Sequence, residues 1–151
     1  MRIPVDAALL DQLTRSAEAD NICKHVVAAV ITNKDNEILL LHRRFDDYLG
    51  GLWELPSSAV GAGESLTVAL HRGVEEETGL VVTTVDDYLG HFDYLSKSGK
   101  QTRQFNFSVT TSGRRIMLTE HDAHEWATHE DHSKASASVS AILDIARGGS
   151  A

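Results

Sequence analysis

The sequence predicts an α/β fold, with helices packed on strands. Three observations predict it: three separated segments that read as helices, the first by apolar spacing and the second by its caps, two β-rich apolar runs joined by turn residues, and a late segment with strict two-residue alternation. The 151 residues suffice for a single domain, 1–151, with a sizeable core.

Val5 to Ala17 reads as the first helix. Val5, Leu9, Leu10 and Leu13 recur at three- and four-residue spacing, and Asp6 sits in the first turn. His25 to Thr32 and Glu37 to Leu41 read as strands. Asn33-Lys34-Asp35-Asn36 between them is turn chemistry, so the pair is expected to form a hairpin. Phe45 to Gly51 is a loop, and Trp53-Glu54-Leu55-Pro56 returns to order. Ser65 to Thr78 is a helix with Ser65 as N-cap and Gly79 as its stop. Val81 to Leu95 is strand-like, interrupted near Asp86-Asp87. In Arg103 to Thr111, Phe105, Phe107 and Val109 share one face, while Gln104, Asn106 and Ser108 share the other. Ala135 to Ala146 is the last helix. Residues 1–3 and 148–151 are expected to be loose.

Composition narrows the partners. The formal net charge is -8, with 22 acidic against 14 basic residues. Such a surface repels phosphate backbones and disfavours duplex nucleic acid. It leaves room for a small nucleotide, since ions and a few local bases can invert the field at one site. The single cysteine, Cys23, has no internal partner, which suits a reducing compartment. The N-terminus lacks the order of a signal peptide, and no apolar run approaches membrane-spanning length. The expected location is the cytoplasm, away from membranes. Monomer and homodimer both remain open.

Chemistry concentrates in the helix over 65–78. Glu64 precedes it, Arg72 lies within it, and Glu75-Glu76-Glu77-Thr78-Gly79-Leu80 closes it. At about 100° per residue, positions 73, 76 and 77 fall on one face, with 73 in the middle. Three carboxylates there would hold hard divalent cations. Glu76 and Glu77 are present, the middle position is Gly73, and Glu75 points away from Glu77. An isolated triple glutamate is ordinarily a solvated helix face. That reading does not account for Glu64, Arg72 and Gly79 at their particular offsets.

This arrangement resembles the Nudix box, G-x5-E-x7-R-E-U-x-E-E-x-G-U, with U a large aliphatic residue. Glu64, Arg72, Val74, Glu76, Glu77, Gly79 and Leu80 are in register. Two positions depart: Ser58 stands for the leading glycine, and Gly73 for the glutamate after the arginine. The resemblance spans roughly Lys24 to Thr128. It implies an α/β/α sandwich with a mixed, curved sheet, and hydrolysis of a nucleoside diphosphate linked to another moiety. Mg²⁺ or Mn²⁺ would bind Glu76, Glu77, Glu125 and the Ser57 carbonyl. Arg72 would orient the glutamates, Glu64 would brace loop and helix, and Glu125 would act from a loop beside Trp126 in place of the missing helix carboxylate. Glu120 is the second candidate for that place. The Trp53-Glu54-Leu55-Pro56 lead-in resembles nucleotide-directed members, which favours a nucleoside triphosphate cleaved to monophosphate and pyrophosphate.

Further candidates surround the box. Arg43 and Arg44 end a strand where the family often faces substrate phosphates, and an arginine fork suits phosphate oxygens. Trp53 and Asn106 are candidate substrate contacts. Gln104 and Asn106 either read a base edge or face water. Trp126 reads first as core packing. His121, His124, His129 and His132 crowd an acidic stretch, where a zinc site is the minor reading because the stretch looks like a loop. Gly73 admits three readings: close packing, relaxed selection for catalysis, or room for a different substrate or ion arrangement. Accordingly, two alternatives stand beside the hydrolase: a catalytically impaired nucleotide-binding or regulatory protein, and a specialised-pathway enzyme with a redirected reaction.

Overall fold

The computed structural model describes residues 2–113 and 115–148. In chain order it contains β1 (Ile3–Pro4), α1 (Ala7–Ala19), β2 (Lys24–Ile31), β3 (Ile38–His42), β4 (Trp53–Glu54), β5 (Ser57–Ala59), α2 (Leu66–Thr78), β6 (Val81–Leu95), β7 (Gln101–Ser112), β8 (Ala123–Ala127), a 3₁₀ turn over His129–Lys134, and α3 (Ala137–Ala146). No helix among the described residues is long and apolar enough to cross a membrane.

The strands form a five-stranded sheet ordered β1-β6-β7-β2-β5 and a three-stranded sheet ordered β4-β3-β8. β2 runs parallel to β7, and the other pairings are antiparallel, so the larger sheet is mixed. The expected hairpin is made only at its root. Asn36 N–H donates to the Asn33 carbonyl and Thr32 bridges Ile38, after which β2 and β3 enter different sheets. The cause is burial on both faces. Val27, Ala29 and Ile31, with Leu39 and Leu41, join one core; Ala28 and Val30, with Ile38 and Leu40, join the other. A strand with two apolar faces needs a layer on each side.

Those layers are helical. The first core takes Leu66, Ala69, Leu70 and Val74 of α2, with Leu9, Leu10 and Leu13 of α1 packed against it. The second takes Val139, Ile142 and Leu143 of α3. The result is a helix–sheet–helix sandwich. Asp6 is the N-cap of α1 rather than part of its first turn, accepting from Leu9 N–H at 2.8 Å. The expected interruption of β6 is a register shift between Val85 and Asp87 within a continuous strand. At the N-terminus, Ile3 and Pro4 pair with Tyr88 and Asp87, so that end is tied down. Met1 and residues 149–151, also expected to be loose, lie outside the described residues.

Candidate active site

Helix α2 is locally encoded. Ser65 Oγ accepts from Val68 N–H, and Gly79 ends the helix at φ 79°, a conformation glycine adopts without steric cost. The buried side of α2 places Glu77 inward, while Arg72 and Glu76 sit at the rim. Arg72 is a clamp. Its Nε and Nη2 each donate to a Glu64 oxygen at 2.8 Å, Nη2 also donates to the Ala59 carbonyl at 2.9 Å, and Nη1 reaches Glu76 Oε2 at 3.2 Å. Glu64 in turn accepts from Gly61 N–H at 2.8 Å. The hydrogen bonds from Arg72 and Gly61 hold the Glu64 carboxyl down at about 2. One charged network thus ties the 59–64 loop to the helix.

Beside this clamp lies an acid-lined cavity of about 440 Å³ that brings together Ser57, Ser58, Arg72, Glu76, Glu77 and Arg43 with Glu54, Glu120 and His121. Glu77 is only 8 % exposed; its Oε1 accepts from Ser57 N–H at 2.8 Å. Burial pushes its carboxyl up to about 7, against the pull of His121 and the Ser57 N–H. His121 Nε2 lies 2.7 Å from Glu54 Oε2, and its Nδ1 lies 3.5 Å from Glu77 Oε2. That Nδ1 is buried without a hydrogen-bond partner. Burial alone would depress the imidazole, but the Glu54 hydrogen bond and the charges of Glu77 and Glu54 raise it above its ordinary value. Arg43 Nη1 completes the chain by donating to Glu54 Oε1 at 2.9 Å.

Gly73 lies buried on α2 against Ser58. A Cβ on residue 73 would collide with Ser58 Oγ and stand 2.5 Å from Ser58 Cβ. Of the readings left open by the sequence, close packing is the one this contact supports.

Several expected residues lie elsewhere. Glu125 is in strand β8 opposite Leu40, not in a loop. Strand alternation sends Trp126 to the first core and Glu125 to the opposite face, where Lys134 Nζ donates to both carboxylate oxygens at 3.0 and 3.1 Å. Glu125 does not line the acid cavity, whereas Glu120 does. Arg44 Nε donates to the Glu120 carbonyl at 3.1 Å, which makes it a tether for the Glu120 segment. Asn106 is 0 % exposed, so its side chain has no surface open to a substrate; Asn106 and Ser108 on the polar face of β7 are buried because the strand lies inside a two-faced sheet. The histidines also separate. His121 enters the acid cavity and His124 sits in β8. His129, His132 and Asp144 do bring ligand atoms within 4.8 Å of one another. However, His132 Nε2 accepts from the Arg147 guanidinium at 2.9 Å and its Nδ1 faces Asp144 at 3.2 Å, so both ring nitrogens are engaged.

Trp53 lines a second, more apolar cavity of about 290 Å³, with Leu52, Leu55, Phe92 and Val139 among its walls. The two cavities adjoin and share Arg43, Glu54, Ser57 and Tyr94. Sequence reasoning missed Lys24, Glu54 and Tyr94 as lining residues. Lys24 opens an apolar strand and Tyr94 closes a long one, and neither position carries a local signal. Glu54 had one, as the lone carboxylate of the Trp-Glu-Leu-Pro segment.

Comparison with known proteins agrees with this architecture. A family model described as NUDIX domain matches residues 24–143. An 8-oxo-dGTP diphosphatase from Proteus vulgaris is 35% identical over 69 residues, covering 44% of this chain and 62% of that protein, so the chain spans under two thirds of that relative's length. A CTP pyrophosphohydrolase from Escherichia coli is 32% identical over 106 residues, 70% of this chain and 76% of that protein. Among solved structures, the MutT protein from Methanosarcina mazei superposes with a TM-score of 0.72 at 26% identity, covering 81% of this chain and 91% of that one.

Proposed function

The chain belongs to the Nudix family, and from that premise we propose that it is a metal-dependent Nudix-type hydrolase cleaving a nucleoside triphosphate to monophosphate and pyrophosphate. One observation carries the reading: an acid-lined cavity opens directly onto an apolar one, with Arg43 at their shared edge. A nucleotide has the same two-part character, a charged phosphate chain and a flat base.

The residues present suit a hard divalent cation. Glu76, Glu77, Glu120 and the Ser57 carbonyl offer oxygen donors around one space, and Glu77 is a buried carboxylate without a full complement of donors. Glu76, Glu77 and Glu120 would hold the ion; when bound it supplies charge neutralisation at the phosphates and eases deprotonation of water. The chain's own residues do the rest. Arg72 fixes Glu76 and, through Glu64, the loop beneath the phosphates. The Ser57 N–H holds Glu77 in one orientation. Arg43 presents a guanidinium to phosphate oxygens while Glu54 anchors it. His121 keeps Glu54 and Glu77 at a set separation.

A second reading, a nucleotide-binding protein without useful turnover, is favoured by one observation: Gly73 leaves the helix face with two carboxylates. Phosphate and pyrophosphate release from the nucleoside triphosphates with Mg²⁺ or Mn²⁺ tests the proposal. Turnover that depends on the ion supports the hydrolase. Binding without release supports the second reading.

A further inference from the structure

The apolar cavity contains one polar group whose orientation its neighbours dictate. Gln104 and Asn106 lie two residues apart on β7, on the same face, and both are buried. Asn106 Nδ2 donates to the carbonyls of Gly90, at 3.1 Å, and Gln104, at 3.2 Å. Only an amide nitrogen satisfies two carbonyl oxygens, so the Asn106 amide has one orientation and its Oδ1 is left as an acceptor. Gln104 Nε2 donates to that Oδ1 at 2.9 Å. Gln104 must then turn its Oε1 away from Asn106. Gln104 lines the cavity, and its Oε1 makes no hydrogen bond with any described residue. Nor is that oxygen sealed in without a partner, as Arg43 Nε and His121 Nδ1 are.

The geometry points to Gln104 as the residue that reads the base, selecting nucleotides whose base presents an exocyclic amine. The inference rests on the proposed placement of the base in the apolar cavity. An amine, as in cytosine or adenine, donates to Oε1. Uracil and hypoxanthine carry a carbonyl at the corresponding position, and two acceptor oxygens would then face each other with neither satisfied. The other polar groups at the cavity discriminate less. The hydroxyls of Ser136, Ser138 and Tyr94 can donate or accept, each Glu54 oxygen already accepts one bond, from Arg43 or from His121, and Arg43 lies at the edge shared with the acid cavity, where the phosphates are placed. Asn106, which touches no ligand, acts as a positioning residue by denying Gln104 the flipped orientation.

Calorimetric titration of the full chain with monophosphates tests this apart from catalysis, since these ligands carry no bond to be hydrolysed. CMP should bind at least about tenfold tighter than UMP, and AMP than IMP, as expected where a buried polar group is left unpaired. Gln104→Met should bring each pair within about threefold. In ¹⁵N-labelled wild-type protein, the Gln104 side-chain amide resonance should move with CMP more than with UMP, a readout that holds even where the variant does not fold. Equal affinities within the pairs, no binding by any monophosphate, discrimination that persists in Gln104→Met, or an unmoved Gln104 resonance would each overturn the inference. The proposed hydrolase fails separately: discrimination in binding with no triphosphate turnover sinks that reading and leaves this one intact, and base-blind hydrolysis does the reverse.

Discussion

The Ser58 side chain fills the volume into which any side chain on Gly73 would grow; a Cβ at position 73 would stand 2.5 Å from Ser58 Cβ. These are the two positions that depart from the Nudix box, and they depart together. A glycine at 58 leaves space for a side chain at 73. A serine at 58 takes that space, and a glycine at 73 yields it.

The two substitutions are therefore coupled. Gly73→Glu alone should destabilise the protein by about 1–3 kcal/mol through overpacking, exceeding the gain of up to about 1 kcal/mol from replacing a helical glycine. Ser58→Gly with Gly73→Glu should recover that loss and raise nucleoside triphosphate hydrolysis. Thermal unfolding and initial rates for the two singles and the double form the cycle. A Gly73→Glu single mutant as stable as wild type would show that the contact yields freely.

Glu120 should matter more than Glu125, the reverse of the order read from sequence. Glu120 lines the acid cavity, while Glu125 is paired with Lys134 on another face. Glu120→Gln should lower kcat/KM at least about tenfold, equal to about 1.4 kcal/mol of barrier. Glu125→Gln should stay close to wild type. Equal losses would put the loop carboxylate role in doubt.

Glu76 and Glu77 are the carboxylates expected to hold the cation from the helix. Glu76→Gln with Glu77→Gln should abolish Mn²⁺ binding in calorimetry while the circular dichroism spectrum is retained. Retained Mn²⁺ affinity in the double variant would move the ion elsewhere.

The cavity should respond to pH with a definite sign. Buried Glu77 keeps its proton up to about 7, whereas an unperturbed glutamate releases it near 4.5. Between those values the folded state binds more protons than the unfolded, so metal-free stability falls as pH rises. His121, raised chiefly by its hydrogen bond to Glu54 despite its burial, stabilises most below its ordinary value and loses that contribution as pH climbs through the raised one. Both groups push in the same direction. Tm without metal should drop from about pH 5 to about pH 8, and the Tm gain on adding Mn²⁺ should grow over the same range, because the ion needs Glu77 ionised. A metal-free Tm that climbs across this window would contradict the burial of Glu77.

Much of the fold was legible in local pattern. Helix α2 was set by its serine cap, its 3.6-residue spacing and its terminal glycine, all within fifteen residues of chain. The apolar run of β2 and the alternation of β7 announced strands for the same reason: a strand's faces are written at every second residue. The Arg72 clamp was expected from the resemblance to the Nudix box, and the structure joins Arg72 to Glu64 and Glu76 through one helix and the loop before it.

What the sequence by itself determined is therefore which residues share a face, and the carboxylate face of α2 above all. What only the tertiary structure decided is what covers each face. Glu54 meets His121 across 67 positions of chain, Ser58 meets Gly73 because β5 lies against α2, and Gln104 and Asn106 are buried rather than wet because β7 lies inside a sheet covered on both sides. Glu120 and not Glu125 lines the acid cavity for a related reason, since β8 alternation turns Glu125 to the far side. Periodicity is a property of one segment; burial, and the charge and hydrogen-bond partners that come with it, belongs to the packing of several.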